Sequence, residues 1–151
     1  MVILSGVLAN TVVASPLDNY RWDKRILIVF ADELENDHLI QVSQLLANAE
    51  CALQDRDIPV SWIYPGGEGR VGDLTLSAQE VLELRNQFRL SRSSSLTAAL
   101  VGKDGGIKAR YEAWPALSEV FALIDGMPMR RAEMHADAAD CDWVESRGEK
   151  G

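Results

Sequence analysis

The sequence predicts a single α/β domain, a β-α-β-α-β-β-α sandwich on a four-stranded mixed sheet. Three observations lead there: the apolar run "KRILIVF" at 24–30, the hairpin signal in "LTAALVGKDGGIKARYE" at 96–112, and helical stripes between and after them. A chain of 151 residues, 47% apolar and 25% charged, can bury one sizeable core and has little room for a second.

"KRILIVF" is β-branched and aromatic throughout, the pattern of a strand buried on both faces and therefore central. It leads into "ADELENDHL", an acidic turn in which Asn36 or Asp37 can cap the helix that follows. Along that helix Leu39, Val42, Leu46, Ala49 and Leu53 recur at spacings of three and four, one apolar stripe. "RDIPVSWIY" at 56–64 reads as the second strand. Pro59 lacks a ladder donor, which places that strand at a sheet edge. "PGGEGRVGD" reads as a loop, and Ser77 with Glu80 forms the S-x-x-E capping box of the next helix.

In the hairpin, Asp104-Gly105-Gly106 supplies the positive-φ turn. The second arm alternates, with Ile107, Ala109 and Tyr111 facing one way and Lys108, Arg110 and Glu112 the other. Pro115 opens a last helix with Leu117, Val120, Phe121 and Ile124 on its apolar face. A right-handed β-α-β crossover sets strand one between strand two and the hairpin, with helices on both faces, which is the thioredoxin-like arrangement.

The domain is expected over residues 16–134. Residues 1–14 carry no charge and end in Val12 and Ala14, the pattern of a signal peptide cut before Ser15, although no Lys or Arg stands at the front; the alternative is an apolar N-terminal arm. About a dozen apolar residues are too few for a membrane span. Residues 135–151 are small, acidic and aperiodic, and are expected to be disordered. The net charge of −8 argues against nucleic acid or anionic lipid as partner.

"YRWDKRILIVF", "LVGKDGGIKARYE" and "LIDGMPMRRAEM", in that order, resemble the P-DUDES family of thioredoxin-like domains of unknown function, which occurs in bacteria and in sushi-repeat-containing secreted proteins of animals. The resemblance implies a thioredoxin- or peroxiredoxin-like fold and a periplasmic or secreted setting, with no catalytic residues to carry over. In "LIDGMPMRRAEM", Gly126 is expected to end the helix in a left-handed cap, Pro128 to stop it, and Met127 and Met129 to fold back as apolar plugs. The sharper reading makes Met127, Met129, Arg130 and Arg131 a partner-binding patch.

A thioredoxin-like enzyme keeps its nucleophilic Cys just after strand one, where a helix N-terminus stabilises a thiolate. Here that position holds no thiol. Asp32, Glu33, Glu35 and Asp37 would raise the pKa of one nearby. The only cysteines are Cys51, on the same helix and roughly 18 Å beyond Leu39, and Cys141, between two aspartates in the tail. One disulfide is permitted, and two free thiols are read as at least equally compatible. The segment where such enzymes carry a cis-proline, "RLSRSSSLTAAL", contains no proline.

His38 adds an imidazole to the acidic loop, but the spacing fits no calcium site and no metal is expected. Trp22 and Trp62 adjoin strands and are expected in the core, while Trp114 precedes a helix. The expected function is a non-catalytic, monomeric binding or accessory module without cofactor. Its ligand or partner surface combines Asp32, Glu33, Glu35, Asp37 and His38 with Ser93, Ser94 and Ser95. The alternatives are a peroxiredoxin-like or other thiol redox enzyme using Cys51, and a structural protein that self-associates through the edge at Pro59 or the Met-Pro-Met patch.

Overall fold

The structure is a computed structural model that describes residues 14–31, 37–64, 66–90, 97–136 and 141. After a short 3-10 turn at Asp18–Tyr20, the elements run β1 (Ile26–Phe30), α1 (Asp37–Asn48), α2 (Glu50–Asp55), β2 (Val60–Ile63), β3 (Gly69–Val71), β4 (Leu74–Leu76), α3 (Ala78–Gln87), β5 (Ala98–Val101), β6 (Ile107–Tyr111), α4 (Leu117–Asp125) and α5 (Pro128–Ala136). The sheet order is β4-β3-β2-β1-β5-β6. β1 pairs parallel with β2 and antiparallel with β5, so it is central as its composition predicts, and all five of its residues are buried.

The sheet has six strands, two more than expected. Residues read as a loop form the β3–β4 hairpin, whose Val71–Leu74 pair brackets the two-residue turn Gly72-Asp73, with Gly72 at φ +53°. That is the turn chemistry of a tight hairpin, obscured in the sequence by the surrounding glycines. Gly69 is there for packing: a Cβ would meet Val81 Cγ2 at 2.9 Å and Ile63 Cδ1 at 3.0 Å, so α3 could not lie as close to the sheet. The added strands also move β2 off the edge. Pro59 precedes β2, where its carbonyl still accepts from the Leu27 amide, and the edge invoked for self-association at Pro59 is covered by β3.

The helix predicted from Leu39 to Leu53 is two, joined at Ala49 (φ −95°, ψ 10°). Its stripe holds across the break, since Val42, Leu46, Ala49 and Leu53 are all buried. Together with α4 these helices cover one sheet face, packing on Leu27 and Leu100. The other face carries α3, whose Val81, Leu84 and Phe88 pack on Ile28, Phe30 and Ile63. The capping box of α3 is formed, with the Ser77 amide donating to Glu80 Oε2 at 2.7 Å and the Glu80 amide to Ser77 Oγ at 3.3 Å.

The second hairpin pairs β5 with β6 but contains a bulge. Leu100 faces Ala109 while Val101 faces Ile107, leaving Lys108 extra. Ile107 is thereby sent to the α3 face, while Ala109 and Tyr111 stay on the other, which corrects the single-sided alternation. Trp22 is not core; it is 63% exposed in a turn at φ 69°.

Cys51 and Cys141 form a disulfide (S–S 2.03 Å), so the two-free-thiol reading is overturned. The segment read as a tail from residue 135 begins inside α5, and Cys141 is bonded to the first turn of α2. The signal-peptide or arm reading lies outside the described residues apart from Ala14, which is exposed. No helix among the described residues is long and apolar enough to cross a membrane.

A crosslink spanning 90 residues acts mainly by restricting the unfolded chain. Cys51→Ser or Cys141→Ser is expected to lower the unfolding free energy by about 2–4 kcal/mol in urea denaturation. The purified wild-type chain should have a mass two hydrogens below that of its reduced form.

Candidate functional site

In a thioredoxin-like sheet the ligand-facing end is the carboxyl end of β1. Here β1 delivers Phe30 and Ala31, both buried, and α1 leads away from the same end with Asp37 and His38 exposed in its first turn. Asp32, Glu33, Glu35, Ser93, Ser94 and Ser95 lie outside the described residues, so only Asp37 and His38 of the expected surface are placed. Thr97 closes this end from β5: it donates its amide and Oγ1 to the Tyr111 carbonyl, at 2.8 and 3.0 Å, and accepts from the Phe30 amide at 2.9 Å.

Two hollows meet here. An outer groove of about 320 Å³ runs along α1 between His38, Gln41, Gln44, Asn48 and Trp114, floored by Val42 and Leu45. A pocket of about 40 Å³ reaches inward to Phe30, Ala31 and Thr97. His38, Val42 and Trp114 border both. The Trp114 indole is partly buried against the α1/α4 core, and its Nε1, fully buried, has no hydrogen-bond partner. Sequence reasoning passed over Trp114. Only the path of the β6–α4 connection brings it to α1, and no local spacing signals that.

A larger hollow of about 430 Å³ opens at the other end beside Tyr20, Lys24, Asp57 and Leu74. Its charged pair satisfies itself, Lys24 Nζ lying 3.1 Å from Asp57 Oδ1. Among the described residues no group of three or more His, Cys, Asp and Glu side chains is placed to hold a metal ion.

The four residues of the expected partner patch are divided. Gly126 has φ −78° and forms no left-handed cap, and Pro128 opens α5 instead of ending the chain's helical course. Met127 packs on the α1/α4 core, whereas Met129 is 43% exposed and Arg131 is exposed. Arg130 is 2% exposed and belongs to an internal charge network. Its Nη2 meets Asp55 Oδ2, its Nε lies 3.1 Å from Asp125 Oδ1, and its Nη1 donates to the Asp55 carbonyl at 2.7 Å.

Arg56 grips Asp125 with both Nε and Nη2, at 3.0 and 2.7 Å. Arg25, 1% exposed, holds Glu133 through Nη1 and Nη2, at 3.0 and 3.2 Å. Lys103 joins Glu133 at 2.7 Å to Asp57 at 2.8 Å.

Burial alone would raise the carboxyl pKa values of Asp57, Asp125 and Glu133. Hydrogen bonds from Lys103 and Lys24, from Arg56 and Arg130, and from Arg25 and Lys103 respectively, with the charges of those groups, outweigh it and hold all three below their ordinary values. Burial would likewise lower Lys103 and Arg130, but their carboxylate partners raise both.

This architecture defines a thioredoxin-like domain. The chain belongs to the family described as Domain of unknown function (DUF4174), whose pattern spans residues 16–133. It is 33% identical over 126 residues to the human Sushi repeat-containing protein SRPX, covering 80% of this chain and 26% of that protein. It is 30% identical over 135 residues to zebrafish (Danio rerio) Coiled-coil domain-containing protein 80, covering 78% of this chain and 15% of that one. The chain thus spans less than a third of the length of these relatives. Among solved structures it is similar to Plasmodium yoelii thioredoxin peroxidase I, with a TM-score of 0.54, 17% identity and 86% of each chain covered, a likeness of fold alone.

Removing Arg130 would leave Asp55 and Asp125 short of their buried cation. Arg130→Ala is expected to cost about 3–5 kcal/mol in urea unfolding. Because Asp57, Asp125 and Glu133 have native pKa values below the reference 3.8 and 4.5, their contribution is full above those values and disappears as pH falls through the native ones. Thermal melts should show Tm level near neutrality and falling steeply in that acidic range.

Proposed function

We propose that this chain is a non-catalytic thioredoxin-like binding or accessory module that works outside the cytoplasm, with its ligand site at the β1 carboxyl end. The observation that carries this is the Cys51–Cys141 bridge. It consumes both thiols of the chain at the α2 side, about 20 Å along the helices from His38. A thiolate mechanism at the β1 end would need a sulfur there, and no cysteine stands in the sequence between Ala31 and His38.

The bridge also supports the location, since stable disulfides belong to oxidising compartments. The likeness to proteins named for sushi repeats, of which this domain would be about a quarter, supports an accessory role beside other domains. The groove supports binding: His38, Gln41, Gln44 and Asn48 converge over an apolar floor of Val42 and Leu45.

The second reading, a peroxiredoxin-like or other thiol redox enzyme, draws on the thioredoxin peroxidase likeness and requires the bridge to open and close in turnover. The test is reaction of the purified protein with hydrogen peroxide and with a disulfide substrate under a thioredoxin- or glutathione-based reducing supply. The proposal expects rates no higher than those of Cys51→Ser and Cys141→Ser. Turnover in the wild type that either substitution abolishes would establish the enzyme reading instead.

A further inference from the structure

We infer that Trp22, flanked by Arg21 and Asp23, is a binding site for a neutral saccharide. The indole stacks on the C–H face of one sugar ring, while Arg21 donates to its hydroxyls and Asp23 accepts from them. The site stands at the amino end of β1, apart from the groove at the carboxyl end, and is independent of it.

The first argument is the placing of the indole. A lone exposed apolar side chain needs no explanation by itself. Trp22, however, is 63% exposed and sits at φ 69°, a left-handed conformation that a bulky residue seldom adopts and that glycine takes without strain. Its hydrogen bond to the fold is made by the backbone: the amide donates to the Lys103 carbonyl, as that of any residue but proline would. The Arg21 guanidinium lies over the ring, 5.6 Å from its centroid. With that group on one side and most of the residue exposed, the other face of the indole is open.

The second argument is the pair of free charges beside the ring. The hairpin holds Arg21 in place: its Nε donates to the Asp104 carbonyl at 2.9 Å, and Gly105, where a Cβ would meet that Nε at 3.3 Å, gives it room. Among the described residues neither Nη of Arg21 and neither carboxylate oxygen of Asp23 has a partner. The other charges nearby are taken, Asp104 by Lys108 at 2.6 Å and Lys24 by Asp57 at 3.1 Å. Residues 1–13, which lead into this turn and lie outside the described residues, contain no Asp, Glu, Lys or Arg.

These features choose the class of ligand. The free charges are of opposite sign, so a charged ligand would be drawn by one and repelled by the other. An uncharged polyhydroxy ligand uses both, the guanidinium as a fork of donors and the carboxylate as an acceptor. The C–H groups of a sugar ring carry slight positive charge, which suits the negative face of an indole. A protein partner would bury an apolar surround together with its aromatic anchor. Here Asp18, Asn19, Arg21 and Asp23 of the turn and Gly105 of the hairpin are the exposed neighbours, and among the described residues no other large exposed apolar side chain lies on either.

The probes are short neutral oligosaccharides of glucose, galactose, mannose and N-acetylglucosamine, a uronic-acid oligosaccharide, and a pool of N-acetylated, C-amidated uncharged peptides. The readout is the Trp22 indole N–H resonance of the ¹⁵N-labelled full chain, assigned by its loss in Trp22→Gly, with saturation transfer to the sugar protons measured alongside. At least one neutral oligosaccharide should move that resonance. Saturation transfer should vanish in Trp22→Gly, whose Tm should not fall, since glycine suits the φ and keeps the amide. Asp23→Ala removes a side chain with no partner among the described residues and should weaken binding about tenfold, the size of one hydrogen bond to a charged group.

A resonance that no neutral oligosaccharide moves overturns the inference. A shift produced only by the uronic-acid probe or by the peptides overturns it too, as does binding equally tight in Asp23→Ala. A Trp22→Gly chain melting several degrees lower would mean that the indole serves the fold, and would also overturn it.

Discussion

The structure depends on the pairing of charges buried at the amino end of β1. A buried cation is tolerated only when carboxylates surround it with good geometry, and here most of the pairs join separate elements. Arg25 comes from the start of β1, Lys103 from the β5–β6 turn, Arg56 from the end of α2 and Arg130 from α5. Their partners Asp55 and Asp57 flank Arg56, Asp125 ends α4, and Glu133 lies one turn after Arg130. The pairs of Arg56 with Asp125, of Arg130 with Asp55, and of Arg25 and Lys103 with Glu133 close only when two elements reach their native places, so the network sets the relative positions of α2, α4, α5 and the hairpin. The Trp22 amide, bonded to the Lys103 carbonyl, ties the N-terminal turn to the same point.

This gives the domain two unlike ends. At one, ion pairs and the disulfide bind the chain to itself. At the other, β1 and α1 diverge beneath Trp114 and leave a groove lined by His38, Gln41, Gln44 and Asn48 over Val42 and Leu45. The fold is similar to that of a thioredoxin peroxidase, and both cysteines of this chain stand in the bridge at α2. The chemistry proposed for the open end is recognition.

The parts of this that could be read in the sequence were those governed by local rules. The unbroken apolar run of β1, the Asp104-Gly105-Gly106 turn, the Ser77–Glu80 box and the stripe of α1 each carry their signal within a dozen residues. β3 and β4 escaped because glycines chosen for close packing at Gly69 and for a positive φ at Gly72 look like loop composition. The bulge at Lys108 and the break at Ala49 depend on register and on packing against other elements. Arg130 resembled a surface residue because its carboxylates lie 75 and 5 residues away and only the fold brings Asp55 to it. The disulfide, across 90 residues, and the place of Trp114 over α1 are likewise products of topology. The fold class was therefore legible, and the site was legible only as the end of the sheet where it would lie.

The central claim is that α5 is an integral, charge-locked part of the domain and not a terminal appendage offering a partner patch. Native-state hydrogen exchange near neutral pH tests it most directly, by comparing amides in the body of α5, at Ala132 and Glu133, with those of Leu27 and Ile28 in β1. The account predicts that both sets exchange only through global unfolding, with matching free energies. Exchange in α5 at the rate of a frayed terminal helix, while β1 stays protected, would contradict it.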